Sequence, residues 1–507
     1  MVVGAAALGA EDDLLHGQWR MSGHDAGNSR DQPAEVRISP ANVHSLAVKW
    51  AFTTGGDVSA TPTVAGDAVY FPDWAGNLYA VDRHKGTLIW SHQISEYDGY
   101  PAAISRTSPA IHGDELIVGD IETKVALHDG ANLIAVDRKT GALRWITRVD
   151  THVSAEITGS PVVFGHTVYV GVSSAEEGFA LAGPAYPCCT FRGSVVALDA
   201  NTGKLLWKTY TIPDNGGQPG SYSGGAVWQP PAIDPLRGQL YVGTGNNYSA
   251  PASVLQCQQQ AITDNHPDPN CSAPDDHFDS ALALDLADGH IRWSKRLQDY
   301  DVWTVPCIIP GYEFLCPSPA GPDYDLGGSG PNLLHGLVGF GQKSGIYWAL
   351  NPEDGAVRWH THVGPGGGTG GIQWGTATDR RRVYAAISNN NQMPYTLIPS
   401  GQTITWGAWS AVDVFTGKLL WQTADPTAGA IDSGSVSVAN GVMFAGSQSG
   451  SMYALDAATG NILWSFASGG TVIDGPAIVD GVVYWGSGYS HPGTGNNKLY
   501  AFSLQRR

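Results

Sequence analysis

The chain has 507 residues, of which 42% are hydrophobic and only 15% charged, with 65 Gly, 31 Pro and 17 Trp. That much Gly and Pro excludes a helix-rich enzyme, since both weaken helix interiors, and the apolar content excludes a disordered chain. A formal net charge of −18 with no basic run excludes nucleic acid as a partner, and no apolar stretch approaches the ~20 residues of a membrane span.

The first ten residues, MVVGAAALGA, read as the end of a secretory signal or an added start, without a basic segment before them. Residues 1–16 are therefore expected to be a signal remnant or disordered tail, and 17–507 one domain. Within that domain one pattern recurs, Ala-x-Asp-x-x-x-Gly-x-x-x-Trp. It reads AVDRHKGTLIW (80–90), AVDRKTGALRW (135–145), ALDANTGKLLW (197–207) and ALDLADGHIRW (283–293). It continues as ALNPEDGAVRW (349–359), AVDVFTGKLLW (411–421) and ALDAATGNILW (454–464), seven copies in all. Each copy predicts a strand, a turn with Gly at positive φ, and a strand ending on Trp.

In the first unit an upstream hairpin runs from Ala60–Val64 through Gly66–Asp67 to Ala68–Phe71. Four strands per unit make a propeller blade. Residues 475–503 supply three strands without a Trp, and Val48–Phe52 supplies a lone strand with one. Pairing these closes the ring and removes two free edges. The expected fold is all-β, an eight-bladed β-propeller of four-stranded blades closed by its N- and C-terminal strands, with each repeat Trp docked between blades. Wide spacings, such as Asp199 to Asp285, leave long loops, where function concentrates.

The six cysteines form no CxxC and no CxxCH, against a zinc ribbon and against covalent haem. Their spacing predicts three local pairs, Cys188–Cys189, Cys257–Cys271 and Cys307–Cys316, and with them an oxidising compartment, periplasmic or secreted.

Four features exceed what a structural propeller needs. Adjacent Cys188 and Cys189 suit redox chemistry or a rigid ligand platform. Glu176, Asn246, Asp299 and Asp301 are hard oxygen ligands at strand ends in three successive repeats, a set that suits Ca²⁺ rather than zinc. Trp228 and Trp374 offer flat rings on which a flat cofactor can stack. Lys343, one strand before the fifth repeat Trp, can pair with a cofactor oxygen or an acid. Taken singly, each also has a plain structural reading: buried thiols, solvated loop carboxylates, packing rings and a surface lysine. The glycine run 365–371 has no strand–helix context and is not read as a nucleotide loop.

From about Trp19 to Ser503 the chain resembles the pyrroloquinoline quinone-dependent alcohol dehydrogenases, which are eight-bladed propellers. The stretches WRMSGHDAGNSR (19–30), DVSATPTV, FPDWAGNLYA, SRTSPA, GVSSAEE, PCCTFRGS and DVWTVPC look like the polyvinyl alcohol dehydrogenase branch. The resemblance implies that Glu176 and Asn246 bind the metal, with Asp301, and that the quinone stacks on Trp228. It likens Cys188–Cys189 to the vicinal disulfide on the quinone's other face. Arg106, Thr158, Ser173 and Arg192 match positions that hydrogen-bond the quinone, Lys343 the basic residue beside its reactive carbonyl, and Gln373 a further contact next to Trp374.

The family's Asp-x-Trp-Asp stands here as Asp301–Val302–Trp303–Thr304, so Thr304 replaces the usual base. Asp301 is the first candidate base and Asp299 the second. With Asp299 as base, Asp301 would be the extra ligand of lanthanide-using relatives; Ca²⁺ is the expected ion. The implied activity is oxidation of alcohols, secondary and polyvinyl alcohol-like ones favoured, with electrons passing to a separate cytochrome c or other acceptor. The alternatives are a non-enzymatic propeller acting as scaffold or binding module, and the same quinone chemistry on a sugar, terpenoid or toxin hydroxyl.

Overall fold

The structure is a computed structural model that describes residues 17–122, 130–266, 268, 270–326 and 328–505; the expected tail, 1–16, lies outside them. Eight antiparallel sheets follow one another as blades, as the repeat predicts: seven have four strands, and in the remaining one the short strand Ala155–Glu156 joins Val162–Phe164 as a second partner of Thr167–Ser174. The first blade is Thr63–Ala65, Ala68–Pro72, Asn77–Asp82 and Leu88–Gln93. The eighth joins Leu46–Thr53 to Lys498–Leu504, Val482–Ser487 and Ala477–Val479, so the two ends of the chain close the ring. Among the described residues no helix is long and apolar enough to cross a membrane.

Middle strands are buried on both faces and read as apolar runs, for example ANLIAVD at Ala131–Asp137. Outer strands bury little beyond their Trp, as in LIWSHQ at Leu88–Gln93. That Trp joins neighbouring blades. The indole N–H of Trp50 donates to Arg83 O, Trp90 to Arg138 O, Trp145 to Ala200 O and Trp207 to Leu286 O. Trp293, Trp359, Trp421 and Trp464 continue to Pro352, Val414, Ala457 and Leu46, which completes the circle.

The rest of the repeat serves this joint. The Asp carboxylate caps the turn, as Asp82 Oδ1 does for the N–H groups of His84 and Lys85. The repeat Gly has φ near +70° and lies against the Trp of the preceding blade. A Cβ on Gly289 would sit 2.4 Å from Trp207 Cε3, whereas one on Gly238, also at positive φ, would meet nothing within 4 Å. Gly289→Ala is therefore expected to cost about 2–4 kcal/mol, from backbone strain plus overpacking. Gly238→Ala should cost about 1 kcal/mol, from strain alone. Urea midpoints of the two variants check this, and equal losses would refute the packing role.

The opening stretch 19–32 runs past the innermost strands of seven blades. Trp19 pairs with Val64 in both directions, and the carbonyls of Arg20, Ala26, Gly27, Ser29 and Arg30 accept from Ile111, Ile233, Leu333, Thr378 and Val438. Gln32 Nε2 reaches Ile478 O. Arg30 enters the axis and donates to Val436 O, Ser22 O, Thr61 Oγ1 and Ser435 Oγ. Burial pulls its pKa down to about 10 against the opposing charge of Asp474. This stretch is thus a strap across the blades.

Candidate active site

Two adjoining cavities lie at the loops that lead into the innermost strand of a blade or out of its second strand. The larger, about 320 Å³, is lined by Arg106, Trp228, Asn246, Asp325, Lys343 and Trp374, among others. The smaller, about 50 Å³, shares Arg106, Thr158 and Trp374 with it and reaches Arg30. The fold explains the convergence. Arg106, Trp228, Asp325 and Trp374 precede the innermost strands of four blades, and Glu177, Asn246 and Lys343 follow second strands.

Lys343 is the centre of charge. Its Nζ lies 2.8 Å from Asp323 Oδ1 and 2.7 Å from Asp325 Oδ2. Burial works against its ammonium, but the two carboxylates outweigh burial and push its pKa up. Asp323 is pushed up by burial, an effect that Lys343 opposes. Asp325 Oδ1 also accepts the backbone N–H of Asn246 at 2.7 Å. The Asn246 side chain gives its Nδ2 hydrogens to Asn247 O and Trp303 O, so the carbonyl oxygen is the polar atom it has left to offer.

Glu177 and Glu156 also line the larger cavity. Burial pushes Glu177 up to about 7, with Lys343 opposing and Asp325 adding, and pushes Glu156 up to about 8, with Arg106 opposing. Trp228 and Trp374 meet edge to face at 5.4 Å, and Lys343 Nζ is 5.5 Å from the centre of the Trp228 ring. The Arg106 guanidinium lies against the rings of Trp374, Trp74 and Tyr489 at 4.6, 5.6 and 5.9 Å. Thr158 and Ser173 share a 2.7 Å hydrogen bond, and Gln373 Nε2 donates to Gly370 O.

The cavity therefore gathers Arg106, Thr158, Ser173, Trp228, Asn246, Lys343, Gln373 and Trp374, eight of the positions singled out from the sequence. The others lie elsewhere. Glu176 is fully buried, and its carboxylate is taken up by Tyr186 Oη, the N–H groups of Thr190 and Phe191, and Ser223 Oγ. It holds the loop that carries the cysteine pair, and the next residue, Glu177, faces the cavity. Asp301 is fully buried outside the cavity lining, where it accepts the N–H groups of Asp323 at 3.1 Å and Tyr324 at 2.6 Å. Asp299 is exposed beyond an outer strand. Arg192 donates to Ile212 O and Asp214 and stacks on Tyr210. Cys188–Cys189, Cys257–Cys271 and Cys307–Cys316 are bonded as the spacing predicts; Cys189 is buried, and Cys188 lines a neighbouring cavity.

Sequence reasoning passed over Glu156, Glu177, Asp323 and Asp325. A signal for the last two was present, because Asp-Tyr-Asp occurs twice, at 299–301 and 323–325. Only the second copy stands just before an innermost strand, the place that Trp228 occupies one blade earlier.

Residues 19–307 match the family described as the glucose/ethanol/alcohol dehydrogenase β-propeller domain, and residues 405–506 match the outer membrane protein assembly factor BamB. The chain is 33% identical to a polyvinylalcohol dehydrogenase of Sphingopyxis sp. (strain 113P3), over 96% of this chain and 76% of that one. It is 23% identical to a lanthanide-dependent methanol dehydrogenase of Methylacidiphilum fumariolicum (strain SolV), over 94% and 85%. Among solved structures, the quinohemoprotein alcohol dehydrogenase ADHIIG of Pseudomonas putida HK5 superposes with a TM-score of 0.72 at 20% identity, covering 100% of this chain and 83% of that one. Family match and relatives agree, and the chain belongs to the pyrroloquinoline quinone-dependent alcohol dehydrogenases.

Proposed function

We propose that this protein oxidises secondary alcohols, polyvinyl alcohol-like chains above all, with pyrroloquinoline quinone and one bound Ca²⁺, and passes the electrons to a separate cytochrome c. The observation that carries the reading is the Asp325–Lys343 ion pair on the wall of a cavity floored by Trp228. The donor set fits the cofactor. Trp228 offers a flat face for a planar ring system. Among the described residues the Arg106 guanidinium meets aromatic rings and no hydrogen-bond acceptor, and it lines both cavities, so its donors suit a carboxylate-bearing ligand. Glu177, Asn246 and Asp325 supply oxygen only, the choice for Ca²⁺ or a lanthanide.

When bound, the quinone supplies the acceptor for the electron pair and the carbon-bound hydrogen, and the metal supplies Lewis acidity. The chain's own residues do the rest. A carboxylate oxygen of Asp325 takes the hydroxyl proton as general base. Lys343 Nζ and the N–H of Asn246 hold Asp325 by one oxygen each, which fixes its orientation. The Lys343 ammonium favours negative charge that develops on a neighbouring oxygen. Asp301, through the two N–H groups it accepts, positions the loop that bears the base. Three disulfides support a periplasmic or secreted setting.

Dye-linked and cytochrome c-linked rates on a panel of primary alcohols, secondary alcohols, polyvinyl alcohol and sugars test the assignment. The highest kcat/KM is expected for secondary and polymeric alcohols; a preference for primary alcohols or sugars would overturn it. Glu177→Gln is expected to raise the Ca²⁺ concentration needed for half-maximal activity by more than about tenfold. An unchanged Ca²⁺ requirement would remove Glu177 from the metal site.

A further inference from the structure

The glycine run 365–371, which the sequence leaves without a role, lies against the charged centre of the site. It joins the outer strand Val357–His362 of one blade to the innermost strand Ala377–Thr378 of the next. On the second blade Ser388 anchors it: the Ser388 N–H donates to Gly371 O at 3.0 Å, and its Oγ to Thr369 O at 2.6 Å. On the first blade it wraps the turn 342–345, between Val338–Gly341 and Ile346–Leu350, which carries Lys343. The Lys343 carbonyl accepts the Gly367 N–H at 3.1 Å, and the Lys343 N–H donates to Asp325 O at 3.1 Å. The backbone of Lys343 is thus held from both sides. Three glycines of the run come so close that no side chain can be added without moving something. A Cβ on Gly366 would lie 2.6 Å from Ser344 O and 2.7 Å from Ser344 Cα, and one on Gly371, at φ +61°, would collide with Lys343 O. Backbone does not yield as the end of a side chain does, so either change displaces the turn. Gly368 differs. A Cβ there would meet Asp323 Oδ2 at 2.7 Å, and Lys343 Nζ holds the other oxygen of that carboxylate at 2.8 Å. Asp323 is buried, so its carboxylate cannot swing out to solvent. What gives way at Gly368 is the Asp323–Lys343 ion pair.

We infer that the run is a positioning element of the site: Gly366 and Gly371 set the backbone of Lys343, and Gly368 leaves the space in which the Asp323 carboxylate meets Lys343 Nζ. The ammonium is thereby fixed against Asp325, and a base held in one orientation loses rate when its support moves. Neither Gly366 nor Gly368 lies at positive φ, so turn geometry does not call for glycine at these two positions, and the close approach does. The effect on rate rests on the roles given to Asp325 and Lys343 above; the effect on the ion pair does not.

Gly368→Ala and Gly364→Ala make the test. Gly364 stands just before the run, and a Cβ there would collide with Ile387 Cγ2, in the core rather than at the ion pair. Both variants should lower the urea midpoint of the quinone-free protein. Gly368→Ala should also lower kcat of the reconstituted enzyme by roughly 10- to 100-fold, while Gly364→Ala keeps kcat within about twofold. A double-mutant cycle with Asp323→Ala isolates the contact. Asp323→Ala leaves Lys343 paired with Asp325. With the Asp323 carboxylate gone, adding Gly368→Ala should move neither the urea midpoint nor kcat further. If Gly368→Ala alone does not fold, recovery of the fold in the double variant reads the same coupling. Equal losses from Gly368→Ala with and without the Asp323 carboxylate would overturn the inference. So would a parental kcat in Gly368→Ala, or an equal loss of kcat in Gly364→Ala. In a protein that oxidises no alcohol the urea cycle decides alone: coupling between Gly368 and Asp323 upholds the contact and refutes only the activity.

Discussion

Asp325→Asn is expected to lower kcat by about 10²–10⁴-fold, the range for loss of a general base, while quinone absorbance stays with the protein. The change is isosteric, so Trp228, Arg106 and the strap are untouched and the cavity should still bind its cofactor. The companion variant Asp301→Asn separates the two Asp-Tyr-Asp copies. Asp301 accepts two backbone N–H groups beneath the 323–325 loop and does not line the cavity. Its loss should loosen the loop and cost stability, with a smaller fall in kcat that partly recovers at lower temperature. If Asp301→Asn abolished turnover while Asp325→Asn kept it, the base would be the one expected from the family pattern, and the assignment to Asp325 would fail.

Lys343→Met should have the largest effect on stability, a loss of about 3–5 kcal/mol, because it leaves Asp323 and Asp325 buried without their counter-charge. The sign of its pH dependence follows from the carboxylates. Burial already pushes Asp323 up, and removal of the ammonium pushes it further. The folded variant then binds more protons than its unfolded chain, so its stability rises as pH falls. Urea midpoints should show a deficit against the parent protein that is larger at pH 8 than at pH 5. A deficit that does not change with pH would mean the pair is not the source of the loss. Lys343→Arg keeps the charge but not the single-point geometry that two carboxylates share, and should restore stability more fully than rate.

The architecture was legible in the sequence because the repeat is a packing device. Asp caps a turn, Gly leaves room for a ring, and Trp reaches the next blade, so spacing alone reveals the blades. Closure by Val48–Phe52 was legible for the same reason, since Trp50 supplies the eighth docking ring. The cavity's lining was legible where a single residue stands out at the end of a strand, as with Trp228, Asn246 and Lys343. It was not legible where neighbours compete for one role. Glu176 and Glu177 are adjacent, and only the direction of the chain after the strand Thr167–Ser174 decides which carboxylate the N–H groups of Thr190 and Phe191 capture. The two Asp-Tyr-Asp copies differ in the same way, since what separates them is their distance from an innermost strand. Arg192 lies away from the cavity because Tyr210, at the end of the strand Leu205–Tyr210, and Ile212 O hold its guanidinium. The strap role of 19–32 was also hidden, for its partners lie in seven blades spread over more than four hundred residues.

The most direct test of the account is reconstitution. The purified protein, titrated with pyrroloquinoline quinone in the presence of Ca²⁺, should bind one equivalent, with Trp fluorescence quenched as the quinone covers Trp228, and should then reduce a dye with a secondary alcohol. Failure to bind quinone with either Ca²⁺ or a lanthanide, or unchanged binding in Trp228→Ala, would contradict it.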